Sequence, residues 1–78
     1  MGKTVYEVVA DTFNKPTTEI RDELSFGSIP EWDSLGHISL MVALEKEFSL
    51  EITPERIAQL LTVGAIQKAI GIGGSGIS

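Results

Sequence analysis

No cysteine occurs in this chain, so neither a disulfide framework nor a thiolate metal site is open to it, and the single His37 cannot build a histidine cluster. A reducing cytoplasm is the default compartment for such a chain. Also missing is any uninterrupted run of roughly 18 apolar residues, the length that a membrane span needs. The opening MGKTVYEVVADTF carries acids inside its apolar run, unlike a secretory signal. Met1-Gly2 starts like a myristoylation signal, but Tyr6 stands where that signal wants Ser or Thr. The chain therefore reads as soluble and cytoplasmic, with no membrane role. Its 78 residues make one domain near the lower limit for independent folding, which argues against a large internal active-site cavity.

Basic residues are scarce as well: six Lys and Arg stand against eleven Asp and Glu, for a net charge of −5. The imbalance is concentrated in residues 31–55, where Glu31, Asp33, Glu45, Glu47, Glu51 and Glu55 face Lys46 alone. Such a surface repels phosphate backbones, so nucleic acid is excluded as a partner, and it steers basic protein partners. A solvated acidic face kept for solubility would look the same.

What is present is helical periodicity. Val5, Val8, Val9 and Phe13 recur at three- and four-residue spacing and predict a helix from Lys3 to about Asn14, ended by Lys15-Pro16. Residues 16–33 form a long connection punctuated by Pro16, Gly27 and Pro30. Its Ile20, Leu24, Phe26, Ile29 and Trp32 predict that it lies on the core, with one helical turn near Thr18 to Asp22. The strongest helix starts at Ser34 and runs to about Ser49. Leu35, Ile38, Met41, Val42 and Glu45 trace one stripe and Leu40, Leu44 and Phe48 another, which predicts the most buried helix of the chain. Asp33 is its N-cap and Trp32 can staple onto the first turns. Thr53 and Pro54 open a short helix with Ile57, Leu60 and Leu61 inward. Thr62 caps a last helix buried through Ala65, Ile66, Ala69 and Ile70, with Gly71 as its stop. The tail GIGGSGIS, residues 71–78, reads as flexible.

Ser34, His37 and Asp33 are the residue types of a serine hydrolase, but no G-x-S-x-G elbow is present and the chain leaves no room for a substrate pocket. His37 reads as a partly exposed first-turn residue or a partner contact. No D-x-D-x-D-G calcium loop occurs, and the Gly-rich tail lacks the G-K-[ST] ending of a phosphate loop. Ser34 can instead receive chemistry: a hydroxyl on the first turn of a helix is exposed, and the free amides there favour an attached phosphodiester. From position alone, a modification site and a serine that merely starts a helix both stay open.

Three linked pieces decide between them. Asp33-Ser34-Leu35, then L-E-x-E-F at 44–48 with Glu51-Ile52, then Thr62-Val63 follow in the order and spacing of the acyl carrier protein family, which this chain resembles from its first helix through Ile70. The resemblance implies an all-α four-helix bundle with a long first loop and a short third helix, spanning residues 1–70. It implies that a phosphopantetheinyl transferase uses coenzyme A to attach 4′-phosphopantetheine to Ser34, flanked by Asp33 and Leu35 as recognition residues. The arm's thiol then holds acyl groups as thioesters, and the protein itself catalyses nothing. Glu45 and Glu47 match the family's partner-recognition helix, which meets acyltransferases, ketosynthases or related enzymes. Ile38, Val42, Ile57 and Leu60 match positions that line an acyl chain. A monomer is expected.

Departures from the family pattern lie beside the serine. Gly36 and Ser39 stand where fatty-acid carriers typically carry acids, and Lys46 replaces a frequent acid. With His37 between them, Gly36 and Ser39 mark a place where partner choice differs, Gly36 either loosening the first turn or leaving room for a partner to approach. A carrier for polyketide or related specialised biosynthesis is favoured over one for fatty-acid synthesis. An acidic helical adaptor without a covalent arm is the reading of another class.

Overall fold

Thr4 and Glu7 form a T-x-x-E capping box: the Thr4 hydroxyl accepts from the Glu7 N–H, and the Glu7 carboxylate accepts from the Thr4 N–H. That box starts α1 (Val5–Phe13) in a computed structural model that describes residues 3–75. The chain turns out of α1 through Asn14 in the left-handed conformation. A single 3₁₀ turn follows at Thr17–Glu19, ahead of α2 (Ser34–Phe48), α3 (Pro54–Gln59) and α4 (Val63–Ser75). Among the described residues the protein is all-α with four helices, and its one β-type pairing is an isolated bridge between Ser25 and Thr62.

The core is built from Val5, Val8, Val9 and Phe13 of α1, Leu40, Met41 and Leu44 of α2, Ile20 and Trp32 of the first loop, and Leu60, Val63 and Ile66. The most buried helix is therefore α1, which buries five of its nine residues, and not α2, which buries four of its fifteen. The inner face of α2 is His37, Leu40, Met41 and Leu44 at the i, i+3, i+4, i+7 spacing. Of the outer stripe read from sequence, only Met41 is inside; Leu35, Ile38 and Val42 face solvent.

The first loop lies on the core as its apolar residues predict, except that Phe26 is exposed. It is pinned to the α3–α4 junction: Phe26 N–H donates to Leu61 O at 2.8 Å, Val63 N–H to Leu24 O and Gly64 N–H to Asp22 O, both at 3.0 Å. Within the loop, Gly27 takes a positive φ of 84°, and its N–H donates to Trp32 O at 2.8 Å. Tyr6 on α1 donates its hydroxyl proton to Asp22 Oδ1 at 2.6 Å. That bond to Asp22, assisted by partial desolvation and the carboxylate's charge, raises the phenol above its ordinary value of 10. The contact's contribution is fully present below the unfolded value and is lost as pH climbs through the raised one. Tyr6 is the one tyrosine, so ultraviolet titration should show a single phenol ionising late, and Asp22→Asn should bring it down; an Asp22→Asn curve equal to the parent's would remove Asp22 as the cause.

Two sequence expectations need correcting here. Gly71 is not the stop of the last helix, since α4 continues through Ser75. Gly71 is not among the residues with positive φ and has open space around it, so nothing obliges the chain to turn there. Of the tail read at 71–78, residues 76–78 lie outside the described residues. Leu61 does not face inward from α3: that helix ends at Gln59, leaving Leu60 buried and Leu61 exposed.

Candidate functional site

Ser34 is the first residue of α2 and is exposed. Asp33 precedes it in an extended conformation, and its Oδ1 accepts from Gly36 N–H at 2.8 Å, satisfying one of the orphan donors of the first turn. The N–H groups of Ser34 and Leu35 have no acceptor inside the helix and face the same way as the dipole's positive end. Asp33→Ala should lower stability by about 0.5–2 kcal/mol; an unchanged urea midpoint would mean that the residue serves partners alone.

A strap formed by residues 29–32 braces this turn from below. Trp32 is fully buried, its N–H donates to Ile29 O at 3.1 Å, and its ring lies 5.4 Å from that of Phe13. It staples onto the fourth residue of the helix as predicted, but that residue is His37. The rings stack with centroids 6.1 Å apart, and Trp32 Nε1–H donates to His37 Nδ1 at 3.0 Å. Beside them, a Cβ on Gly36 would sit 2.0 Å from Glu31 O and 3.2 Å from Phe13 Cε1. The strap's backbone thus occupies the space that a side chain at 36 would need.

His37 and Gly36 accordingly move from the partner surface to the interior. His37 is 4 % exposed, because its neighbours Trp32 and Phe26 come from the loop and its other nitrogen reaches Ile57 O at 2.7 Å across to α3. The room left by Gly36 is filled by this chain's own Glu31, not kept for a partner. With both nitrogens of His37 engaged and Asp33 spent on its cap, Asp33, Ser34 and His37 do not form a catalytic constellation.

Around Ser34 the surface is apolar before it is acidic. Leu35 is 79 % exposed, Ile38 49 % and Val42 44 %, and no Asp, Glu, Lys or Arg occurs from Ser34 to Leu44. Ser34, Ile38 and Glu45 share one stripe of α2 by their spacing. Ser39 is exposed. Glu47 lies on the opposite side with Ala43 and Lys46, in a groove of about 190 Å³ shared with Lys3, Val8, Asp11 and Thr12 of the N-terminal segment. Its Oε2 accepts from Lys3 N–H at 3.0 Å, so Glu47 ties down the start of α1 and is turned away from the serine. Ile38, Val42, Ile57 and Leu60 do not share one environment: the first two are exposed, Ile57 is half-buried and Leu60 is in the core. Sequence reasoning missed Phe26, which is exposed yet sets its ring edge against His37, 5.4 Å between centroids; its place in a loop without period gave no signal.

An exposed primary hydroxyl on a braced helix start fits a tethered phosphodiester. Among the described residues no group of three His, Cys, Asp or Glu is placed to hold a metal ion, and no helix is long and apolar enough to cross a membrane. Residues 3–70 match the family model described as the phosphopantetheine attachment site. The chain is similar to the acyl carrier protein of Porphyromonas gingivalis, 36% identical over 62 residues that cover 80% of each chain. It is also similar to that of Wolinella succinogenes, 33% identical over 66 residues covering 85% of this chain and 87% of the other, and to that of Clostridium acetobutylicum, 36% identical over 62 residues covering 80% of each. The family's cofactor is phosphopantetheine, its members interact with phosphopantetheinyl transferases and acyl-handling enzymes, and its role is to carry rather than to catalyse. On the helical fold, the site and the match over most of its length, this chain belongs to the acyl carrier protein family.

Proposed function

We propose that this protein holds acyl intermediates as thioesters on a 4′-phosphopantetheine arm attached to Ser34 Oγ, and presents them to acyltransferases, ketosynthases or related enzymes of a polyketide or similar specialised pathway. The observation that carries the attachment site is Ser34 itself: the exposed hydroxyl of the D-S-L triplet, held on the first turn of α2 by the Asp33 cap and the Trp32 strap. Phosphopantetheine passes from coenzyme A to Ser34 Oγ with formation of a serine phosphodiester and release of adenosine 3′,5′-bisphosphate. Once bound, the arm supplies the thiol that a chain without cysteine lacks.

Asp33 and Leu35 flank the attachment point and serve its recognition by the transferase. Leu35, Ile38 and Val42, with Ser39 and Glu45 beside them, form the face that partners meet. Exposed Ile38 and Val42 and half-buried Ile57 offer the cargo apolar surface, with buried Leu60 behind them. The specialised assignment is supported by the absence of charge from Ser34 to Leu44, since exposed acids chiefly raise encounter rates with basic partners. The protein works as a cytoplasmic monomer. Two measurements test this reading. Fragmentation of the loaded protein should place the arm on Ser34 and on neither Ser39 nor Ser49. The loaded protein should serve a polyketide acyltransferase with a higher kcat/KM than it serves a fatty-acid malonyltransferase; the reverse order would assign it to fatty-acid synthesis.

A further inference from the structure

His37 spends its two nitrogens on two different elements, and its tautomer follows from them. The indole N–H of Trp32 can only donate, so Nδ1 accepts; a neutral imidazole accepting there carries its proton on Nε2, which donates to Ile57 O at 2.7 Å. Among the described residues this is the one hydrogen bond between α2 and α3. The six-residue α3 has no buried side chain of its own. It is pinned at its ends, by the Thr53 hydroxyl accepting from Arg56 N–H, by Arg56 Nη1 donating to Glu51 O, and by buried Leu60 followed by Leu61, whose carbonyl accepts from Phe26 N–H. Its middle meets the arm-bearing helix through this hydrogen bond, beside half-buried Ile57 packed on the core.

We propose that His37 is a latch that determines which cargo this carrier can shelter, an inference that rests on the carrier reading above. A chain tethered at Ser34 finds exposed apolar surface at Ile38 and Val42, half-buried Ile57 on α3, and Leu60 in the core behind it. To pass Ile57 it must part α3 from α2, and parting them takes Ile57 O from Nε2–H and leaves both polar groups in apolar surroundings without a partner. While the latch is closed, short or polar acyl groups are carried outside, and a long aliphatic chain gains little from the protein.

The test loads acetyl- and octanoyl-4′-phosphopantetheine onto Ser34 from the corresponding acyl-coenzyme A with a broad-specificity transferase, and follows thioester cleavage by hydroxylamine. In the parent protein the two thioesters should be cleaved at rates within about twofold of each other, a comparison that needs no variant. His37→Asn keeps an acceptor for the indole but falls short of Ile57; it should slow octanoyl cleavage by roughly tenfold while leaving acetyl unchanged. It should also speed amide exchange in α3 more than in α1. His37→Gln reaches Ile57 and should behave as the parent. Octanoyl already protected roughly tenfold in the parent, or His37→Asn protecting no better than the parent, would overturn the latch. A parent protein that accepts no arm would instead sink the carrier reading, and the two failures are distinguished by intact mass before hydroxylamine is added.

Discussion

Trp32→Ala is expected to lower stability by about 3–5 kcal/mol, close to the whole stability of a domain this small. Trp32 is fully buried between Phe13 of α1 and His37 of α2, so its removal opens a cavity that two helices line. The loss is also polar, because His37 Nδ1 is left as a buried acceptor without its donor. Trp32→Phe separates the two contributions. It keeps most of the apolar volume and removes the N–H, and should cost about 1–3 kcal/mol. Since this is the one tryptophan, unfolding is followed in urea by far-ultraviolet circular dichroism. A Trp32→Ala midpoint close to the parent's would mean that the strap does not brace the serine.

Gly36→Ala should destabilise by about 2 kcal/mol or more, although alanine in a helix is ordinarily worth about 0.5–1 kcal/mol over glycine. The sign is set by the contact: the new Cβ would lie 2.0 Å from a backbone carbonyl, Glu31 O, and that oxygen cannot rotate away as a side-chain tip would. The strap has to move as a unit, and it carries Trp32 with it. Gly36→Asp should fail in the same way, so the acid that many fatty-acid carriers present two residues after the serine cannot be installed here. That turn exposes Leu35 and Ile38 and presents no side chain at 36. If Gly36→Ala were more stable than the parent in urea, propensity would have outweighed the contact and the strap would be loose.

The parts of the fold written in local sequence were legible. Asp33 before an apolar run gave the N-cap, Trp32 before it gave the staple, Thr53-Pro54 and Thr62 gave the starts of α3 and α4, and each is found in place. One local signal was overlooked, the T-x-x-E box of Thr4 and Glu7. What could not be read is what depends on distant partners. His37 looks like a surface residue until a carbonyl from Ile57, twenty residues on, is set against it. Gly36 looks like room for another protein until the Glu31 backbone is seen to fill that room. Periodicity showed that α2 had a wide apolar surface, yet it could not say which part faced in. Burial fell to the stripe that meets α1, leaving Leu35, Ile38 and Val42 outside next to the serine. Glu47, which the resemblance puts on the partner-recognition helix, has its carboxylate on Lys3 N–H, a donor that only the fold brings to it.

The central claim is that Ser34 Oγ bears the arm on which everything else depends. It is tested most directly by intact mass after incubation with coenzyme A and a broad-specificity phosphopantetheinyl transferase. The parent protein should gain one phosphopantetheine, and Ser34→Ala, which keeps the Asp33 cap and the fold, should gain none. A parent protein left unmodified across several transferases, or a Ser34→Ala variant that still takes the arm, would contradict the account.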